Sequence, residues 1–358
     1  MSLNNSSFTG PTTGTIATAC AIASIKTIFK EPLNSVTVET PKKVLDILID
    51  NTELVEPNKA ISSSHKRPYN DPDVTVGVEI TAEVELIDFN GSKVIVNGGE
   101  GVGIVTKPGL QIDVGDYAIN PGPRKMIAEN LKDFIPDGKT AIVTISVPEG
   151  RKIANKTMNP KLGIVDGISI LGTTGIARSM SSKAYKDSIV KQLDVAIASG
   201  IENLIFVPGN IGEKLAIKRF NIGPDEIIQT GNFIGFMFEE AKKRGIGEFT
   251  FFGHIGKLVK VAGGIFDTKH AVADGRREIM ITHAALNGAS QNTLKELYNS
   301  KTTEEMLNIL NKENLTKKTC NSIATAINER CKAKFDLDIN TILVDMDGNF
   351  LNNNFIQP

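Results

Sequence analysis

Gly253-His254-Ile255-Gly256-Lys257 places an imidazole and an ammonium three residues apart, where a short apolar run gives way to a helical pattern. Groups at i and i+3 in a first helical turn share a face, so His254 and Lys257 can address one crevice. A neutral imidazole can take a proton or ligate a metal, and a charged one can bind a carboxylate. The structural alternative is a histidine that caps the helix. Three other turns pair glycine with a side chain able to hydrogen-bond: Gly172-Thr173-Thr174-Gly175, Pro208-Gly209-Asn210 and Thr230-Gly231-Asn232. Gly98-Gly99-Glu100-Gly101-Val102-Gly103 carries four glycines in six residues, which is excessive for one turn. It offers bare backbone to a flat ligand, with Thr106 and Lys107 just beyond to meet carboxylates; a bulged hairpin is the plainer reading. The loop from His65 to Asp73 holds His65, Lys66 and Arg67 with Asp71 and Asp73, a further candidate for ligand contact.

Each glycine turn is expected to follow a strand. Leu162–Ile176 begins as an Ile/Val/Leu run, reads as a buried strand ending in Gly172–Gly175, and precedes a helical pattern over 182–198. Asn203–Val207, Glu226–Gln229 and Glu248–Phe252 repeat the strand, turn and helix order. Four such turns at one edge of a parallel sheet would define the ligand crevice of a doubly wound fold. The first half reads differently. A helix over 16–29 follows Thr12-Thr13-Gly14-Thr15, whose hydroxyls either cap it or make an anion site. Strands are expected at 35–39, 44–50 and 140–147, and a long half-buried strand over 74–87, turned by Asn90-Gly91 into 93–96 as a hairpin. Asn120-Pro121-Gly122-Pro123-Arg124 opens a short helix. The expected organisation is an α+β domain with a largely antiparallel sheet over 1–150, then a Rossmann-like, doubly wound parallel-sheet domain over 151–358 with C-terminal helices. Near the end, Asp345-Met346-Asp347-Gly348 hints at a metal loop or a phosphatase nucleophile, but no further ligands follow at calcium-loop spacing.

Composition narrows the classes. The 358 residues suggest about two domains. A net charge of −1 provides no global field for nucleic acid or an anionic membrane, so an anionic ligand must meet locally placed cations. Three scattered cysteines fit neither a disulfide framework nor a zinc site and suit a reducing cytoplasm. The polar start lacks a signal peptide's basic region, and no apolar run is long enough to span a membrane. No Cys–His or paired-carboxylate motif stands out. The patterns G-x-G-x-x-G and G-x-x-x-x-G-K-[ST] are missing, which counts against a nucleotide-dependent oxidoreductase or kinase.

Taken together, TTGT at 12–15, DPDVTVGVEI at 71–80, GGEGVGIVTKPGL at 98–110, AINPGPRKMI at 118–127, NPKLGIVDGISILGTTGI at 159–176, PGN at 208–210, GHIGKLVKVAGGIF at 253–266 and ADGR at 273–276 resemble the CbiD family, the cobalt-precorrin-5B C1-methyltransferases of anaerobic cobalamin synthesis. The resemblance runs from residue 9 to about 288. Family members often have Cys or another small residue in place of Ile16, and Val-Pro in place of Gly122-Pro123; neither position supplies a reacting group. The resemblance implies methyl transfer from S-adenosylmethionine, as cosubstrate, to C1 of cobalt-precorrin-5B, with cobalt entering only as part of the substrate and no metal held by the protein. Such a displacement needs alignment more than acid–base machinery. On this reading Gly172, Thr173, Thr174, Gly175, Asn210 and Asn232 hold the donor. Asp73, Glu100, Thr106, Lys107, Asn120 and Arg124 meet the tetrapyrrole between the two halves, and His254 and Lys257 are the catalytic pair. A cytoplasmic enzyme with no nucleic acid or membrane partner follows, with room for a homodimer and for contacts with other corrin-pathway enzymes. The alternative is a non-catalytic tetrapyrrole-binding partner of that pathway, which would need no S-adenosylmethionine pocket.

Overall fold

The computed structural model describes residues 10–31, 33–69, 73–177 and 182–353. Asn70, Asp71 and Pro72 of the polar loop lie outside them. The chain forms two units, Met1–Tyr185 and Lys186–Pro358.

The first unit begins with β1 (Gly10–Pro11) and α1 (Thr13–Ile28), followed by β2 (Ser35–Glu39), β3 (Val44–Leu48), β4 (Asn51–Glu56), β5 (Lys59–His65), β6 (Glu79–Asp88), β7 (Val94–Gly98) and β8 (Ile104–Val105). It continues with α2 (Pro121–Leu131), β9 (Lys139–Ser146), α3 (Gly150–Ala154), β10 (Ile164–Val165) and β11 (Ile176–Ala177). Helix α1 is apolar or small-sided on every face and is buried almost throughout, as an all-round apolar helix must be. It lies on β5 and β6, and its few hydroxyls find carbonyls there: Ser24 Oγ donates to Ala82 O at 2.7 Å.

The main sheet has the order β4-β5-β6-β9-β7. The Asn90-Gly91 hairpin expected from sequence does not form. β9 inserts between β6 and β7, antiparallel to the first and parallel to the second. The long strand expected from Val74 starts only at Glu79, because Asp73 Oδ1 accepts from Thr75 N at 2.8 Å and Gly77 turns the chain at φ 81°. Strands β4 and β5 were not expected; the SSSH run of β5 is polar yet buried against α1 at Ser62, Ser63 and Ser64.

Leu162–Ile176 is also not a strand of the parallel sheet. Two residues of it, β10, pair with β8, and β11 pairs with β1, both antiparallel. Ile168 and Ile170 bridge to Val102 and Ile119. These pairings spend the segment on the first unit, so the division falls at 185/186 and not at 150/151.

The second unit begins within α4 (Ser182–Ala198), which leads to β12 (Ile205–Val207), α5 (Asn210–Phe220), β13 (Ile227–Gln229), α6 (Ile234–Lys243), β14 (Glu248–His254) and α7 (Ile255–Ala262). Helices α8 (Arg276–Leu286), α9 (Gln291–Asn299), α10 (Thr303–Lys312) and α11 (Thr316–Phe335) precede β15 (Asp338–Val344). The four strands are parallel in the order β13-β12-β14-β15. β12 and β13 are buried at every position, as a covered parallel sheet requires. Phe238 of α6 packs on Phe206, Phe249 and Phe251 with ring centroids 5.0–5.9 Å away. No helix among the described residues is long and apolar enough to cross a membrane.

Candidate functional site

The chain passes from β12 to β13 on one side, then returns past β12 to β14. The order therefore reverses between β12 and β14, where open parallel sheets bind ligands beyond the strands' carboxyl ends. Three of the four turns singled out in the sequence stand at this edge. The first is Pro208–Asn210. Gly209 there has φ 121°, and a side chain added to it would meet Lys257 Nζ at 3.8 Å. Helix α5 starts at Asn210 without a side-chain cap bond among the described residues, so its first-turn N–H groups lie at the carboxyl end of β12. Lys257 Nζ donates to Pro208 O at 2.9 Å and has no carboxylate partner among the described residues. Burial, reinforced by the nearby Lys260 charge, pulls this ammonium below the usual lysine value. An arriving anion would relieve both costs.

Gln229, the buried last residue of β13, reaches across to Asn210 Oδ1 at 2.9 Å and Glu213 Oε2 at 2.7 Å. Asn232, in the following turn, accepts from Thr268 N at 3.0 Å through its backbone, while its half-buried side-chain amide has no partner among the described residues. The edge thus offers an ammonium, a carboxylate, two amides and free helical N–H groups.

His254 is spoken for. Its Nδ1 accepts from Gly256 N at 3.2 Å, capping α7, and its Nε2 lies 2.6 Å from Glu304 Oε1. A ring that accepts at Nδ1 must carry its proton at Nε2 to donate to Glu304. No lone pair is left for cobalt or a ring proton, so the catalytic expectation gives way to the capping alternative. Lys257 keeps its place in the crevice.

The Gly172–Gly175 turn follows no strand of the parallel sheet. It packs on the start of α1, where Gly14 N donates to Leu171 O at 3.0 Å and Thr15 Oγ1 to Gly175 O at 2.5 Å. A side chain at Gly172 would fall on Thr12, and one at Gly175 on Thr40. These glycines permit close packing within the first unit. Leu171 O takes Gly14 N and the Thr12 hydroxyl takes Thr15 N at 3.2 Å, and these threonines are buried, so Thr12–Thr15 is a buried cap. Thr173 and Thr174 are exposed, Thr174 Oγ1 bonding Ile176 O at 3.2 Å.

The glycine stretch 98–103 is likewise internal. Side chains would collide with Tyr117 at Gly98, Ser146 at Gly99, the Val147 carbonyl at Gly101, and Ile164 and Gly167 at Gly103. Bare backbone is needed because three chain segments cross there, not because a flat ligand lies on it. Glu100 is exposed at the tip. Thr106 is tied to Gly163 O through both N and Oγ1, at 2.8 and 2.7 Å, and the stem of Lys107 lies over Gly163.

Arg124 is not a ligand cation. Its guanidinium donates to the carbonyls of Ile119, Val96 and Tyr117 at 3.0, 2.6 and 3.5 Å, locking α2 to β7. Asp73 is a hub, accepting from Lys66 Nζ, from Tyr69 OH at 2.6 Å and from Thr75. Burial works to raise its carboxyl, but the bonds from Lys66, Thr75 and Tyr69 outweigh it and hold the group well below the carboxylate range. Asn120 precedes α2 with its half-buried amide unpartnered among the described residues, next to the Gly172 turn: Asn120 N donates to Ile170 O at 3.0 Å.

Two other features carry no site. Asp345 Oδ1 accepts from Asp347 N and Asn349 N at 3.0 and 2.8 Å, so the Asp345–Gly348 run is a closed turn. A cavity of about 720 Å³ opens at the opposite, amino edge of the parallel sheet, lined by Glu202, Lys242, Glu248, Lys332, Asp336 and Asp338. Its lysines already pair with its carboxylates at 2.8–2.9 Å.

The family model described as CbiD matches residues 2–179, and that described as CbiD, C-terminal domain, matches 267–354. A cobalt-precorrin-5B C(1)-methyltransferase of Methanobrevibacter smithii is 65% identical over 99% of both chains. The chain belongs to the CbiD family. One from Methanosphaera stadtmanae is 49% identical over 99% of this chain and 93% of that one. A crystal structure described as cobalamin biosynthesis protein (cbiD) from Archaeoglobus fulgidus is 27% identical, covering 76% of this chain and 84% of that one with a TM-score of 0.38. Within the CbiD motifs, the structure separates two jobs that the letters alone do not. The glycines at 98–103 and 172–175 serve packing, whereas PGN and GHIGK meet at the switch edge. Gln229 and Glu213 join that edge unforeseen: Gln229 ends an apolar strand, where the only clue is one polar residue at a buried terminus.

Proposed function

We propose that this chain transfers a methyl group from S-adenosylmethionine to ring carbon C1 of cobalt-precorrin-5B, and that the donor is held at the carboxyl edge of the parallel sheet. The observation that carries the placement is Lys257, a half-buried ammonium at the switch point without a carboxylate partner among the described residues. It suits the donor's methionine carboxylate. Glu213 and Asn210 suit ribose hydroxyls, and the amide of Asn232, without a partner among the described residues, suits the adenine edge. The sheet is read as a Rossmann-like, doubly wound arrangement on its reversal of strand order.

When bound, the donor supplies an electrophilic methyl on a sulfonium, and the ring carbon is the nucleophile. The chain's contribution is then to orient and to exclude water. Lys257 balances the carboxylate while leaving the sulfonium uncompensated, and His254, through its cap on α7, fixes the turn that carries Lys257. We assign the substrate to the first unit, on Asn120 and the exposed Thr173 and Thr174, with Glu100, Thr106 and Lys107 as further contacts.

Calorimetry with S-adenosylhomocysteine tests the assignment. Lys257→Met is expected to weaken binding about tenfold, or about 1.4 kcal/mol. Thr173→Ala is expected to leave it unchanged while raising the substrate concentration for half-maximal rate. The reverse pattern would move the donor to the Gly172 turn.

A further inference from the structure

The ADGR motif and the lysine of LVKVA take no part in the site as described, yet they form a buried polar arrangement in the second unit. Lys260 is 4% exposed, and its Nζ donates to Thr268 O at 3.2 Å and Ala273 O at 2.8 Å. Asp274 Oδ1 lies 4.0 Å away, but this carboxylate is engaged by Arg276, whose Nε donates to Oδ1 at 2.5 Å and Nη2 to Oδ2 at 2.8 Å. A buried ammonium facing mainly carbonyls costs more than an apolar residue of the same size would. Fold stability alone gives no reason for it.

Its geometry does. Thr268 and Ala273 lie near the two ends of the segment 266–275, which leaves α7 through Gly263-Gly264 and enters α8 through Gly275 at φ 64°. The segment is tied in turn to the β13–α6 turn. Thr268 N donates to Asn232 O at 3.0 Å, Asp267 bridges to Phe233, and Gly235 N donates to Phe266 O at 3.1 Å. Asn232 is therefore held from behind, at its backbone, by a strap that Lys260 closes, while its side-chain amide has no partner among the described residues. Thr268 Oγ1, 4% exposed as a residue, also lacks a partner among the described residues, so the strap is not optimised for its own hydrogen bonding.

We propose that Lys260 is a positioning residue for the methyl donor: its ammonium clamps segment 266–275 and thereby sets the Asn232 amide against the donor's adenine. The proposal rests on the placement of the donor at this edge. Lys260 touches no ligand itself.

The test is a double-mutant cycle on S-adenosylhomocysteine affinity, measured by calorimetry on the full chain. Lys260→Met and Asn232→Ala are each expected to raise Kd about tenfold, and the double variant is expected to be no weaker than Asn232→Ala by more than about twofold, because coupled residues are non-additive. At saturating donor, Lys260→Met is expected to keep its turnover rate within about twofold, a split that general loss of structure would not give. Additive losses near a hundredfold, or an unchanged Kd in Lys260→Met or Asn232→Ala, would overturn the proposal. If Lys257→Met still weakens binding in that case, the donor site stands and only the role of Lys260 falls; if it does not, the donor site itself is refuted. Should Lys260→Met not fold, Lys260→Gln, which retains a donor for one carbonyl, takes its place in the same cycle.

Discussion

Gly101→Ala is expected to destabilise the first unit by about 3 kcal/mol or more, from a left-handed backbone that alanine resists and an overlap that packing cannot absorb. Gly101 has φ 70°, and a methyl there would fall on the Val147 carbonyl, with Gly150 N beyond it. Nothing flexible lies in the way, so backbone must move. That motion would propagate, since Gly101 O accepts from Ile168 N at 3.0 Å and Gly103 N donates to Ile168 O at 2.9 Å. The control is Gly91→Ala, where φ is 100° but no atom lies within 4 Å. It should cost about 1–2 kcal/mol, the conformational term alone. Urea unfolding of the two variants decides the matter. Equal midpoints would mean that the glycine crossing is looser than described and that its backbone is free to meet a ligand.

Asp73→Asn should cost about 3 kcal/mol at neutral pH, because it strands Lys66, which is 2% exposed, without its counter-charge. The effect has a pH signature. The folded carboxyl is held below its unfolded value, so its contribution is present above about pH 4 and is lost progressively as pH falls further. Stability measured between pH 7 and pH 3 should therefore fall more steeply in the parent than in the Asn variant. Parallel curves would contradict the pairing of Asp73 with Lys66.

These two sites also show where the sequence could be read and where it could not. Periodicity placed β2 on its observed residues, 35–39, and the C-terminal helices expected from sequence are present as α8 to α11. What failed was long-range. Asn90-Gly91 is a genuine local hairpin signal, but β9, some fifty residues on, wins the place between β6 and β7. Leu162–Ile176 has the composition of a buried strand because it is buried, against β8, β1 and the start of α1, not because it joins the parallel sheet. Glycine density was legible as close approach; what approaches was not. At Gly101 and Gly172 it is the chain itself. Lys260 was invisible for a related reason: one lysine in an apolar helical run looks like a solvated residue, and only the segment packed over it makes it buried.

The central claim is that the methyl donor sits at the β12–β14 switch edge, and a crystal structure of the chain with S-adenosylhomocysteine tests it most directly. The account predicts the donor's carboxylate within hydrogen-bonding distance of Lys257 Nζ, and its nucleoside beside Asn210, Glu213 and Asn232. The analogue lying instead against Thr173 and Thr174 at the start of α1 would contradict it.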